Sequence, residues 1–272
     1  MTLVAITASL LAVRPTEAEP RGIAWRDSIQ ARLDASQPAI AESLAHRALR
    51  ESEADSGRGT LSMGRLSRLL GVALHRQRGA SYESTWPHFQ LAGELISQHL
   101  GARSLEYGSV LATQAAVLGG FGKVDESVAK AEAAIALFEH QPAPLDSLVI
   151  RPLQALGGVL GRAGRPAEAR PAFERAVAAV LRMTPVDSLR AAILRCDAAL
   201  AAIQDGDLLA AEAMLDVSGR VIEAQLEPTD PDRIRYVTIR LSLLRRTADL
   251  LGVSVRTIRN KLHQYGYAET VA

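Results

Sequence analysis

The residues best suited to chemistry stand near the C-terminal end, where positions 254–261 read SVRTIRNK. Ile258 and Leu262 are four residues apart, so on a helix they share one side and pack inward. Val255, Arg256, Arg259, Asn260 and Lys261 are then left facing outward. Arginine and lysine side chains reach phosphate oxygens or the edge of guanine, and asparagine can read adenine. An apolar anchor on one side of a short helix and hydrogen-bond donors on the other is a design for gripping a duplex, with no bond broken.

Nothing else in the chain adds up to an active site. The six histidines, at 46, 75, 88, 99, 140 and 263, include no pair at HExxH or similar metal-ligand spacing. Cys196 is the only cysteine, so an internal disulfide and a cysteine-based zinc site are both excluded. It sits in an apolar stretch and reads as inert core. Gly157, Gly158, Gly161 and Gly164 follow no strand, so they read as close helix packing and not as a nucleotide loop. No GxSxG occurs. Trp25 and Trp86 read as packing residues. The expectation is a protein without catalysis, cofactor or metal.

The elements that must hold the donor-bearing helix are legible beside it. Ala248 is small, as a first helix must be where a second crosses it. Gly252, four residues on, suits a tight turn with positive φ. Ser254 can cap the second helix. With these residues in view, 247–266 (TADLLGVSVRTIRNKLHQYG) resembles the Fis-type helix-turn-helix that closes many bacterial enhancer-binding regulators. Ala248, Leu250, Leu251, Gly252, Val253, Ser254, Thr257, Ile258, Arg259, Lys261, Leu262 and Tyr265 all fall where that pattern expects them. The resemblance implies base reading by Ser254 and Val255, with Arg256 as a neighbour. It implies phosphate contact by Thr257, Arg259 and Lys261. Some members carry arginine where this chain has Val255, which shifts base reading toward apolar contact such as a thymine methyl. The usual Gly-Asn lead-in is replaced by Leu243-Leu244-Arg245-Arg246, and no GxxxxGK[ST] of an ATPase domain occurs. The competing reading is a terminal capping pair of helices with a basic outer face.

Charge is distributed accordingly. Residues 1–232 hold 23 Lys and Arg against 28 Asp and Glu, a balance of −5, whereas residues 233–272 hold 8 against 2, a balance of +6. A mildly acidic body with a basic tail points to an anionic partner at the C-terminal end. Apolar residues make up 48% of the chain but aromatics only 4%, so the core must be built from Ala, Leu and Val. That favours helices over sandwiches and barrels. No apolar run reaches the length of a membrane span.

The body is repetitive. In 153–181 (LQALGGVLGRAGRPAEARPAFERAVAAVL), Leu156, Gly157 and Leu160 precede Gly164, and Ala169, Phe173 and Ala176 follow it. Equivalent turns fall at Ser36, Gly79, Gly122 and Gly206, at intervals of 43, 43, 42 and 42 residues. Small or apolar residues follow each turn: Ala41, Ala45 and Ala48; Phe89 and Ala92; Ser127, Ala131 and Ala134; Ala211 and Leu215. These spacings resemble the tetratricopeptide repeat over about residues 23–227, with a period longer than the basic one of about 34 residues. The resemblance implies helix–turn–helix units stacked into a right-handed superhelix with a groove for peptides or protein partners. Thr60-Leu61, Ser104-Leu105, Ser147-Leu148 and Ser188-Leu189 mark helix starts, as N-caps or first-turn residues. Pro144 and Pro185 punctuate the units, and the stretch around Pro228, Pro231 and Asp232 should end the fifth unit and open one more helix.

The expected fold is therefore all-α: a right-handed superhelical solenoid of about five helix–turn–helix repeats plus a C-terminal helix-turn-helix. Residues 1–22 form an N-terminal segment, either a capping helix or a weakly signal-like stretch, TLVAITASLLAV, which lacks a preceding Lys or Arg. Residues 23–227 hold the repeats, 228–246 a connecting helix, and 247–272 the helix-turn-helix and tail. Ile234, Ile239, Leu243 and Leu244 in the connecting helix are spaced for one apolar stripe, suited to pairing a homodimer or to docking on the fifth repeat. The functional expectation is a cytoplasmic DNA-binding transcriptional regulator whose solenoid holds a protein or peptide, without membrane attachment. The alternative is a non-catalytic interaction scaffold, exported if the N-terminal stretch is a signal, with a basic capping tail.

Overall fold

The computed structural model describes residues 18–57, 59–77, 79–141 and 146–257. Among them are eleven α-helices and no strand. The chain divides after Gly101 into two compact units. The first holds α1 (Ala18–Asp34), α2 (Pro38–Ser56), α3 (Leu61–His75) and α4 (Tyr82–Leu100). The second holds α5 (Leu105–Gly120), α6 (Val124–Glu139), α7 (Asp146–Arg162), α8 (Pro166–Arg182), α9 (Ser188–Asp205), α10 (Leu208–Gln225) and α11 (Pro231–Leu251). Within each unit every helix packs on the next in sequence. The first helices of neighbouring pairs also touch, α1 with α3, α5 with α7 and α9 with α11.

The turns fall where the repeat places them. Ser36, Gly79, Gly122, Gly164 and Gly206 all have positive φ, between 55° and 92°. Ser36 is the sole non-glycine residue among those described that does so. It accepts a strained conformation at the one anchor where the sequence lacks glycine. The residues after each turn are buried as expected: Ala41, Ala45, Ala48, Ala131, Ala134, Ala169, Ala176 and Ala211 are wholly inaccessible. Ser127 replaces alanine at one such position, and its hydroxyl donates to the Ala115 carbonyl at 2.7 Å, so the polar atom is satisfied inside the pair.

Helix starts follow the hydroxyl signals with one refinement. Thr60, Ser81 and Ser104 are N-caps whose side chains accept from the backbone N–H three residues on. Ser147 and Ser188 instead lie in the first turn of α7 and α9, and Asp187 caps α9. Asp207 and Asp230 cap α10 and α11 in the same way. Pro144 lies outside the described residues.

Two boundaries drawn from sequence fall inside helices. Helix α1 runs across 22–23, and α11 runs unbroken across 246–247. The expected apolar stripe on α11 is also divided between two faces. Tyr236, Ile239 and Leu243 are buried with α9 and α10 in the last core cluster, Leu244 is half-buried, and Ile234 is exposed. The helix therefore closes the fifth repeat, and Ile234 does not share the face that does so.

Close packing is set by missing side chains. A Cβ on Gly157 would lie 2.8 Å from the Phe173 ring, and one on Gly71 the same distance from Phe89. The aromatic ring of the second helix occupies the place of the side chain on the first. Gly157→Ala should lower stability by about 1–3 kcal/mol, the usual cost of overpacking. Pairing it with Phe173→Leu should recover part of that loss in urea unfolding. An unchanged midpoint for Gly157→Ala would show that the pair has slack.

Candidate functional site

Among the described residues of the second unit, a groove and the end of α11 offer groups that the fold does not consume. One lies along α5, α7 and α9. On α7, Arg151, Gln154, Ala155, Gly158 and Arg162 are spaced i, i+3, i+4, i+7 and i+11, which puts them on one face. With Ala116 of α5 they line a groove of about 310 Å³. A second hollow of about 160 Å³ adjoins it, sharing Gly158 and Arg162 and bounded by Asp197 and Gln204 of α9 and Arg235 of α11. Gly158 and Gly161 thus depart from the expectation of close helix packing. A Cβ on Gly161 would meet nothing nearer than 3.9 Å, and one on Gly158 only the end of the Arg162 side chain at 3.4 Å.

Arg162 also ties the repeats together by donating to the Gly119 carbonyl at 3.2 Å. Arg76 makes the equivalent bond to the Leu33 carbonyl at 2.8 Å in the first unit. Both bonds span 43 residues, one full repeat. Arg151 is exposed and has no ion pair among the described residues.

Asp197 is the one buried acid among the described residues of this region, 7% exposed and ion-paired to Arg235. Burial raises its carboxyl to about 6, against the opposing pull of the Arg235 charge. The neighbouring Cys196 is buried, and burial pushes its thiol up to about 11, which keeps it protonated and unreactive at neutral pH. Trp25 donates to Glu51 beneath the Arg47 guanidinium, and Trp86 stacks on Tyr82, so both are held within their own helices' packing. Among the described residues no group of three His, Cys, Asp or Glu could hold a metal ion. No described helix is long and apolar enough to cross a membrane.

The second place is the end of α11. Gly252 is left-handed, with φ 63°, and terminates the helix through bonds to the Ala248 and Asp249 carbonyls. Ser254 then accepts from the Thr257 N–H at 3.1 Å, and a new helical turn opens at Val255. Ala248 is buried. Ser254, Arg256 and Thr257 are exposed and Val255 is half-buried. The hydroxyls of Ser254 and Thr257 are 2.9 Å apart, so each already has a partner within the turn. Arg259, Asn260 and Lys261 lie outside the described residues. Sequence reasoning missed the α7 arginines and Asp197. A lone acid in the alanine-rich run 196–202 was the available signal for Asp197, since buried acids need a partner.

No family model and no curated protein matches the sequence. Solved structures do match in fold. A kinesin light chain-type protein of Podosopora anserina with nearly identical TPR-like repeats superposes with a TM-score of 0.63 at 14% identity, covering 78% of this chain and all of that one. PilF of Pseudomonas aeruginosa superposes with a TM-score of 0.55 at 15% identity, covering 93% of this chain and 96% of that one. The fold is that of tetratricopeptide-repeat proteins, an all-α arrangement of consecutive helix–turn–helix units.

The pH dependence of stability should carry the mark of Asp197. An unfolded aspartate titrates near 3.8 and the folded one near 6. Between those values the folded state holds a proton that the unfolded state has released. The contribution of this group is therefore full below about pH 4 and is lost as pH rises through about 6. The stability of the wild type minus that of Asp197→Asn should fall between pH 4 and 7 by something on the order of 2 kcal/mol. A difference that rises with pH would mean that Arg235 outweighs burial.

Proposed function

We propose that this is a non-enzymatic interaction protein that binds a protein or peptide along the α5–α7–α9 face, and DNA through its C-terminal helix-turn-helix. The observation that carries the first part is the groove itself. Gly158 and Gly161 each cost a helix interior on the order of 1 kcal/mol relative to alanine. No contact within the described chain requires them, and they leave open space between polar side chains of successive repeats. Stacked helix pairs with such a face serve as binding surfaces for extended or helical segments.

The DNA-binding part rests on the left-handed Gly252, the Ser254 cap and the step from −5 to +6 in charge. In this reading Arg256, Arg259 and Lys261 grip phosphates, Val255 and Asn260 meet base edges, and Ser254 serves chiefly as the cap. The protein is then a cytoplasmic transcriptional regulator. Two copies on a pseudo-palindrome would supply the contacts that one motif lacks. An interaction scaffold with a basic cap shares the first part and lacks the second.

Panning a random peptide display library against the full chain tests the first part. Enriched peptides should lose binding to Gly158→Phe, which fills the groove. Enrichment indifferent to that substitution, or no enrichment, would overturn groove binding. Gel-shift titration at two salt concentrations tests the second. Arg259→Ala and Lys261→Ala should each lower the salt slope by about one unit and weaken all sequences alike. Val255→Ala should change the preferred sequence, by about 1–3 kcal/mol if an apolar base contact is lost. A chain with no DNA affinity at low salt leaves the scaffold reading alone.

A further inference from the structure

The α7 face has a charge pattern that specifies its occupant more closely than "a peptide". Arg151 and Arg162 stand at its two ends, eleven residues apart, which is about 16 Å along a helix. Between them Ala155 and Gly158 form a low floor, with Ala116 of α5 beside it. Gln154 supplies a donor and an acceptor at mid-length. Among the described residues no acid lines this groove. The one carboxylate of the adjoining hollow, Asp197, is already committed to Arg235. Arg151 has no ion pair among the described residues, and Arg162 has given one donor to Gly119 and keeps others. Two guanidiniums therefore face a trough in which no described residue places an opposite charge.

We infer that this groove takes an extended acidic segment of a partner protein, with carboxylates about five residues apart, one on Arg151 and one on Arg162. The inference rests on the proposed peptide-binding role of the same face. The spacing takes the helix rise of about 16 Å between the two positions, which an extended chain advancing about 3.3 Å per residue covers in about five. Each carboxylate can take paired N–H donors from a guanidinium. The small floor lets the peptide backbone lie close to α7, and the Gln154 amide can bond to it. A nucleic acid fits less well, because its charge is continuous whereas the groove offers two cations within a body of net charge −5.

Fluorescence anisotropy with the full chain decides the matter. The probe is a labelled ten-residue peptide of Ser, Thr and Ala carrying two glutamates five residues apart. One control replaces both glutamates by glutamine, and a second replaces both by lysine. The glutamate peptide should bind at least about tenfold more tightly than the glutamine peptide, as for loss of a charge-assisted hydrogen bond. Arg151→Ala should remove most of that preference without touching the fold, since Arg151 holds nothing else. Arg162→Lys should keep the charge and retain part of the preference. Arg151→Glu with Arg162→Glu should reverse it toward the lysine peptide, with circular dichroism confirming an intact helical chain. Equal binding of glutamate and glutamine peptides would overturn the inference. So would a single-stranded oligothymidylate that binds more tightly than the glutamate peptide and is lost in the same double variant. Library peptides that need an open groove but carry no excess of acid also overturn it, while leaving groove binding intact. Loss of groove-dependent binding altogether is the separate failure of the underlying reading.

Discussion

The close approach of antiparallel helices is the constraint on which everything else in this chain depends. Alanine buries little area, so a core made mostly of it is held together by short interhelical distances and not by large side chains. Positions 41, 45, 48, 131, 134, 169, 176 and 211 carry no group larger than a methyl and are fully enclosed. Where a bulky ring does enter, the facing residue has no side chain at all, as at Gly157 with Phe173 and Gly71 with Phe89. Small residues thus set the distance and the rings fill what remains. The same arrangement explains how a chain with 4% aromatics sustains core clusters that run from one repeat into the next.

That packing leaves little of each first helix free. The back of α7 is spent on Phe173 and on the second core face through Val149, Ile150, Leu153, Leu156 and Leu160. The strip left over carries Arg151, Gln154, Gly158 and Arg162. A guanidinium placed there can serve two ends at once. Arg162 holds a carbonyl of the preceding repeat and still presents donors to the groove, so any ligand held there would be coupled to stacking at one residue. Ion pairs between repeats, such as exposed Arg175 with Glu139 at 2.6 Å and half-buried Arg170 with exposed Asp207 at 2.7 Å, lie at the surface and add little. Asp197 differs because burial works against its ionised form, and Arg235 reaches it from α11. A polar contact therefore joins the last helix to the repeat it closes.

The turns were legible because each uses a local rule repeated at a fixed interval. A left-handed residue followed five residues later by a small one leaves the same trace in four of the five units, even where serine stands at position 36, and the unit after Gly79 takes one extra residue before its buried Thr85. Helix starts were legible to within a residue, since hydroxyl and carboxylate side chains compete for the same capping role, as Asp187 does beside Ser188. The faces of α11 were not legible. Ile239 and Leu243 are four apart and buried, whereas Ile234, Val237 and Leu241 are also at helical spacing and are exposed. Periodicity alone gives two apolar faces and does not say which one finds a neighbour. The α7 groove was hidden for a related reason. Arg151 and Arg162 acquire meaning only when the register shows that they flank one strip, and Gly158 reads as packing until the absence of anything opposite it is seen.

The C-terminal turn is built by the local chemistry used at Gly79 and Gly206: a left-handed glycine, then a polar cap, then a new helical turn. Gly252 stands 46 residues after Gly206, close to the repeat interval, so geometry by itself fits both a sixth, closing pair and a helix that reads a duplex. Charge is the feature on which the two differ. A closing pair needs a polar outer face, and either sign satisfies that need. The body uses acids slightly more than bases, and an extension of it would be expected to do the same. Eight basic residues against two acidic ones over positions 233–272 exceed what solvation of a cap requires. Some of that excess is structural, since Arg235 and Arg240 pair with Asp197 and Asp216. Arg256 follows the turn and is exposed, and the sequence carries further basic residues at 259 and 261. Under the proposed DNA-binding reading, that surplus would meet a phosphate backbone, and under the scaffold reading it would form a solvated outer face.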